Sequence, residues 1–416
     1  MLWASNAVSV FFALFFLLSF KRAGAHGLLV ILMFGALVYY FLYKPPIRLS
    51  KECKWLAGAF VLMFLSVLPS LFIQSDLESW RYNLPTLEMP LLYVFGAVAL
   101  VCLSGANLTL KQSLIFTSMA IACVLNGGIA LVQRVFLSVG RVDGSSSIMA
   151  FVVLTSMAVF GCYIHALHTH KRLEKILFSA ALLLGFVVVL FSGTRTAMLA
   201  FALGFLALSV LVLYLQKSWR ALPFMLAIAL SFVAMFGIDY TLEHEGVLKT
   251  PRNAYENFSH DLQLYAQKNP NTSTGLRIAR WKVAIAIARL SPIFGMSPST
   301  KCARLPEILA LAHSYRKADE IDCGEKYENE ILNTLARRGL VGVAVLLLFW
   351  GVVGRFFWQN LRVAPEISLF GLGMLVFYVV FAMGFDPFSF FTEGSFFIGM
   401  VVMATLVTSQ RNLVIL

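Results

Sequence analysis

The chain has 416 residues, 59% hydrophobic and only 13% charged, with a net charge of +12 and a mean hydropathy of +0.81. A soluble globular domain has about a quarter charged residues, so these values exclude that class and point to an all-α polytopic membrane protein. The apolar runs are continuous rather than alternating with period two, which excludes a β-barrel.

Twelve apolar runs are long enough to cross a bilayer at roughly 20 residues per span. They lie near 5–20, 27–43, 55–73, 86–105, 113–133, 148–166, 174–192, 196–215, 221–239, 339–358, 367–385 and 390–409. Met1–Ala7 has no basic residue, so the first run is expected to be a retained helix rather than a signal peptide. Even-numbered short connectors carry twelve Lys and Arg, and odd-numbered ones six: Lys21, Arg22, Arg81, Arg134, Arg141 and Arg195. That bias predicts cytoplasmic termini, although Lys21 and Arg22 argue locally the other way. It also accounts for the positive net charge without invoking nucleic acid as a partner. Three parts follow: spans one to nine in 1–239, a long and largely helical outer loop in 240–338, and spans ten to twelve in 339–416.

The long loop is the one extended segment too polar for lipid. Between Asp261 and Glu307 it has no carboxylate, yet holds Lys268, Arg277, Arg280, Lys282, Arg289, Lys301 and Arg304. Such a stretch either meets an anionic substrate or packs on lipid headgroups. Helical spacing predicts helices over Leu276–Leu290 and about Ala303–Ala318, and a third from near Glu325 into the next span. Arg277 and Arg280 share a face of the first, followed by Trp281 at an interfacial depth. Cys53, Cys102, Cys123 and Cys162 lie in or beside spans, whereas Cys302 and Cys323 stand in the loop. On an oxidising face the latter two are disulfide candidates. A bridge there would close about 22 residues and contribute roughly 3 kcal/mol by the chain-entropy model.

Ser192-Gly193-Thr194-Arg195 separates spans seven and eight. Ser192 or Thr194 can cap the eighth helix, whose first turn presents unpaired N–H groups and a positive dipole end. With Arg195 this makes an anion pocket suited to phosphate; the alternative is an arginine snorkelling to headgroups. Arg195 and Arg277/Arg280 fall on one predicted face, so they can converge on a diphosphate, which guanidinium forks bind two oxygens at a time. His-x-x-x-His, Cys-x-x-Cys, an outer Asp-x-Asp and a P-loop are all absent, so no metal, cofactor or ATP-driven chemistry is expected. Group transfer to a hydroxyl needs a proton acceptor, and His313 and Glu328 are the candidates. A lone loop histidine is more often structural, and a glutamate with an ordinary pKa of about 4.3 needs partial burial to be an efficient base.

At these residues the chain resembles the O-antigen ligase family, related to O-antigen polymerases and protein O-oligosaccharyltransferases. Arg195-Thr-Ala-Met-Leu199 looks like the family's Arg-x-x-x-Leu at the mouth of a span. Gly275-Leu-Arg277 followed by Trp281 looks like its second arginine on a loop helix. Asn329, nine residues, then Gly339-Leu-Val-Gly342 looks like its His-Asn-x(9)-Gly-x-x-Gly element, with Glu328 where the family has histidine. The layout agrees over the whole chain, the motifs only from about Ser192 to Gly342.

The resemblance implies a metal-independent, inverting glycosyltransferase of the bacterial inner membrane with its site on the periplasmic face. It would move a polysaccharide from undecaprenyl diphosphate to lipid A–core. Arg195, Arg277 and Arg280 would hold the diphosphate, with Thr194, Trp281 and Asn329 in support. Glu328 would replace the histidine, or His313 would approach, or no such base is needed. Polymerisation of the same glycans, or their transfer to protein, would share the donor site. A transporter of anionic lipid, with breaks at Gly127-Gly128 or Asp386-Pro387, and a non-catalytic assembly protein are the readings from other classes.

Overall fold

The computed structural model describes residues 2–18, 24–47, 49–72, 83–106, 108–144, 147–216, 219, 221–226, 228–230 and 254–415. Lys21, Arg22, Arg48, Arg81, Lys217 and Arg220 of the orientation tally lie outside them, as do 231–239 of the ninth expected span and 240–253 of the loop.

Among the described residues every regular element is a helix. Eight long ones precede the loop: α1 (Leu2–Leu17), α2 (Gly24–Tyr43), α3 (Lys51–Leu65, followed by a short helix at Leu68–Phe72), α4 (Pro85–Leu103), α5 (Gln112–Leu131), α6 (Ile148–His168), α7 (Arg172–Phe191) and α8 (Arg195–Gln216). The long loop holds α9 (Ala254–Ala266), α10 (Ser273–Leu290), α11 (Pro298–Ala303) and α12 (Leu305–Ala312). The chain ends with α13 (Glu330–Gln359), α14 (Pro365–Phe381) and α15 (Phe391–Ile415). Helices are the open-chain solution for a backbone in lipid, because each satisfies its own N–H and C=O groups.

Nine of these helices are long and apolar enough to cross a membrane among the described residues. The other three of the twelve expected positions hold the shorter apolar helices Trp3–Leu17 and Pro365–Phe381 and helical residues at 221–226 and 228–230. α6 and α15 are buried on nearly every face and form the centre of the bundle. Tyr93, Phe349, Tyr378, Phe388 and Phe397 interlock there as a ring cluster. Two polar pairs link helices inside the bundle: Asn126 Nδ2 to Thr155 Oγ1 at 2.9 Å and Tyr163 with Ser209 at 2.8 Å.

Neither break considered for a transporter interrupts a span. α5 runs unbroken through Gly127 and Gly128, and Gly127 is needed because a Cβ there would strike the Leu184 backbone of α7. Asp386 and Pro387 lie in the connector between α14 and α15.

Connectors sort by parity. At one end, Thr109 and Lys111 N–H donate to Ser5 and Ser9 Oγ, and His165 meets Glu366 at 3.1 Å. At the other end, Ser299 N–H donates to Asn83, Arg141 bonds residues 192 and 194, and the 382–390 connector receives Glu330 N–H and Lys326 Nζ. The described parts of connectors three, five, seven and eleven and the loop helices therefore share one end.

Loop boundaries differ from those expected. The helix expected over Ala303–Ala318 is shorter, Leu305–Ala312, because Pro306 stands in its first turn and His313, at φ 46°, ends it. The third helix starts at Glu330 rather than near Glu325, since Glu328 takes φ 50° and Asn329 caps it by accepting from Leu332 N–H at 3.0 Å. α13 is kinked at Gly339 (φ 64°, ψ −162°). A side chain there would collide with Ile293 and Phe294 backbone, and Leu340 N–H bonds Pro292 O at 2.8 Å instead of continuing the ladder.

Candidate functional site: an arginine cluster at the loop end

α10 begins where Thr272 Oγ1 accepts from Gly275 N–H at 3.0 Å, which sets Arg277 in its second turn. From there Arg277 Nε donates to Glu328 Oε2 at 2.5 Å. One turn on, Arg280 donates through one terminal nitrogen to the other Glu328 oxygen and through Nε to Glu325 Oε1 at 2.9 Å. Glu328 thus bridges the two arginines with one oxygen each. Its flanks are fixed: Trp281 Nε1 donates to Tyr327 O at 3.0 Å, and Asn329 Nδ2 to Met383 O at 2.9 Å. Trp281, expected at an interfacial depth, is therefore a clamp on the backbone before Glu328.

Burial alone would lower the Arg280 pKa, and the hydrogen bonds and charges of Glu325 and Glu328 outweigh it, so the pKa is raised. Glu325 is shared: Arg316 donates to both its oxygens at 2.8 Å and anchors its other end on Glu320 O at 2.6 Å.

The span-side half is organised by a residue the sequence did not single out. Arg141 Nε donates to Ser192 O at 3.1 Å, and a terminal nitrogen donates to Thr194 Oγ1 at 3.2 Å. Burial lowers its pKa, and the positive charges of Arg277 and then Arg195 lower it further. Arg141 is therefore in the field of both Arg277 and Arg195, and its hydrogen bonds set it on the turn that leads into α8. In the sequence Arg141 is one of several connector arginines, and its only local signal is the neighbouring Gly140.

His313 is exposed at the left-handed end of α12. Among the described residues its ring has no hydrogen bond or ion pair with Arg277, Arg280 or Glu328. Cys302 and Cys323 form a disulfide with Cα atoms 5.4 Å apart. Beside it Lys301 Nζ donates to Asp322 O at 2.9 Å, and burial pulls its amine down to about 8.

Near Glu328, in the connector between α14 and α15, Asp386 is fully buried, and among the described residues neither carboxylate oxygen has a hydrogen-bond partner. Burial, then the charge of Glu330, pushes it up to about 7. A cleft of about 570 Å3 lined by Lys51, Trp55 and Arg355 lies at the opposite end of the bundle, away from this chemistry.

The fold and this cluster define a class: a polytopic helical membrane protein with arginines gathered where the loop helices meet the ends of its spans. Within that class the chain resembles the O-antigen ligase family, whose sequence profile it matches over residues 180–347. The matched stretch contains Arg195, Arg277, Arg280, Glu328 and Gly339; Arg141 precedes it. An uncharacterised protein of Haemophilus influenzae is 24% identical over 80% of this chain and 80% of its own length. An O-antigen ligase of Escherichia coli is 22% identical over 63% of this chain and 60% of its own. These likenesses support a function of the O-antigen ligase or polymerase type.

Proposed function

We propose that this protein is a membrane glycosyltransferase that transfers a polysaccharide from undecaprenyl diphosphate to lipid A–core at the periplasmic face of the inner membrane. In this reading 1–239 and 339–416 are the membrane part and 240–338 is the periplasmic loop that completes the site. The observation that carries it is Arg141, bonded to the Ser192–Thr194 turn before α8 and in the field of Arg195 and Arg277 from two other parts of the chain. A lipid diphosphate has its charge at the interface and its tail in the bilayer, which suits arginines above apolar helices.

The acceptor hydroxyl attacks the anomeric carbon opposite the departing diphosphate, so configuration inverts. The leaving group gains charge as the bond breaks, and preorganised guanidinium groups offset it. Glu328 is the better-placed proton acceptor, because it stands among the arginines while His313 caps an exposed helix end.

The test is glycan transfer by purified protein in nanodiscs, supplied with a lipid diphosphate-linked donor and lipid A–core. Arg195→Ala and Arg277→Ala should retain the wild-type thermal midpoint and lose transfer; normal transfer by Arg195→Ala would overturn the proposal. Offering the donor a second donor molecule, or an acceptor protein, distinguishes ligation from polymerisation and protein glycosylation, which would use the same donor site.

A further inference from the structure

Glu328 occupies the place its substrate would need. Its two oxygens lie on Arg277 and Arg280 much as two phosphate oxygens would lie on a pair of guanidinium forks. With both oxygens accepting from guanidinium donors, the carboxylate is aimed at the arginines and not at an acceptor hydroxyl. From this conflict we infer that Glu328 is a latch carboxylate: it holds the arginine pair while the site is empty, the donor diphosphate displaces it, and only then is it free to take the acceptor's proton. The inference rests on the arginine cluster being the diphosphate site, and it adds an order, with donor before acceptor.

Three observations support the exchange. The Arg277 and Glu328 side chains are each 29% exposed, and ion pairs this open contribute little net stability. Arg280 keeps its bond to Glu325, which Arg316 holds from the far side, so its orientation survives the loss of Glu328. The backbone on both sides of Glu328 is pinned through Tyr327 O and the Asn329 side chain. Displacement is therefore confined to side-chain torsions, and the released carboxylate stays within its own length of the diphosphate. In the step that follows, the acceptor oxygen bonds to the anomeric carbon and its proton passes to Glu328. The anomeric carbon–oxygen bond breaks, and its electron pair leaves on the lipid diphosphate.

A latch competes with anions, and that is measurable without turnover. Inorganic pyrophosphate is titrated calorimetrically into the full-length protein in detergent. Glu328→Gln should bind it roughly fivefold more tightly than wild type, since an exposed charge pair no longer has to be broken, while glycan transfer falls. Glu328→Asp keeps the charge but is too short to span both arginines, so it should also bind about twofold more tightly. Tightening in Glu328→Gln with wild-type affinity in Glu328→Asp would reduce Glu328 to a general field effect and overturn the latch. Unchanged or weaker binding by Glu328→Gln, with binding still lost in Arg277→Ala, would overturn the latch and leave the diphosphate site standing. Wild-type pyrophosphate binding by Arg277→Ala would remove the site itself.

Discussion

Arg277 and Arg316 both meet a glutamate from the segment just before α13, and they serve opposite ends. Arg316 and Glu325 are 6% and 10% exposed, with one guanidinium nitrogen donating to both carboxylate oxygens, so this pair is part of the loop's interior. Arg277 and Glu328 are each 29% exposed, and Arg277 adds its charge to that of Arg195 at Arg141. An ion pair sealed from water holds a fold together, because removing one partner strands the other. A cation left near other cations, with one displaceable partner, is available to a ligand. The same comparison sorts the acid-free run. Arg280, Lys301 and Arg304 find partners further along the chain in Glu325, Asp322 O and Glu307, and Lys282 sits over the rings of Tyr265 and Tyr315.

The contrast breaks if Arg277 proves structural. Arg277→Ala should lower glycan transfer by about 100- to 1,000-fold, the range for removing one preorganised charge from a transition state. Its unfolding midpoint should stay near wild type, and Arg277→Lys should recover part of the rate, since it restores charge without the fork. Arg316→Ala should do the reverse. It leaves Glu325 buried with Arg280 as its remaining partner and should lose about 3 kcal/mol of stability in denaturant unfolding, with transfer per folded molecule reduced far less. Similar unfolding midpoints for the two variants would erase the distinction.

The disulfide sharpens the boundary of the rigid half. Replacing Cys302 and Cys323 by Ser should destabilise the segment between them by about 3 kcal/mol on loop-entropy grounds. Limited proteolysis should then cut near Lys317 in the variant before it cuts wild type. Equal cutting would place the loop's order in Arg316 and Lys301 alone.

Among the described residues, nine of the twelve expected spans coincide with helices long and apolar enough to cross, because long apolar runs report burial in lipid directly. The arginines on α10 were legible because helical spacing sets Arg277 and Arg280 on one face. Loop helix ends were misjudged where the determinant is a single backbone conformation: a left-handed Glu328 and His313 are residue types that give no such signal, unlike glycine. Pro306 was a visible breaker inside the second expected helix, and its weight was missed. Arg141 was not legible because its role depends on contacts with residues 51 and 53 positions away. The match of Glu328 to two arginines is likewise a long-range fact, hidden while the run around them seemed free of acid.

Asp386 is the smallest and most selective probe, since it lies beside this site but has none of its arginines for a partner. Burial and Glu330 raise its pKa from an ordinary 3.8 to about 7, with Lys326 and Arg337 opposing and Glu328 adding slightly. A carboxyl whose folded pKa is raised binds its proton more tightly in the native state than in the unfolded one. Its stabilising contribution is therefore complete below about pH 4, declines as pH rises through about 7, and is absent above. Asp386→Asn keeps the shape and removes that titration. The unfolding midpoint of Asp386→Asn minus that of wild type should thus grow between pH 5 and pH 8, which are test conditions about two units and one unit either side of the transition. A difference that stays flat over that interval would mean that water reaches Asp386 and that the wall beside Glu328 is open. The proton released to Glu328 would then have a solvent path, and the separation between a sealed layer and an exposed arginine cluster would not hold at this edge of the site.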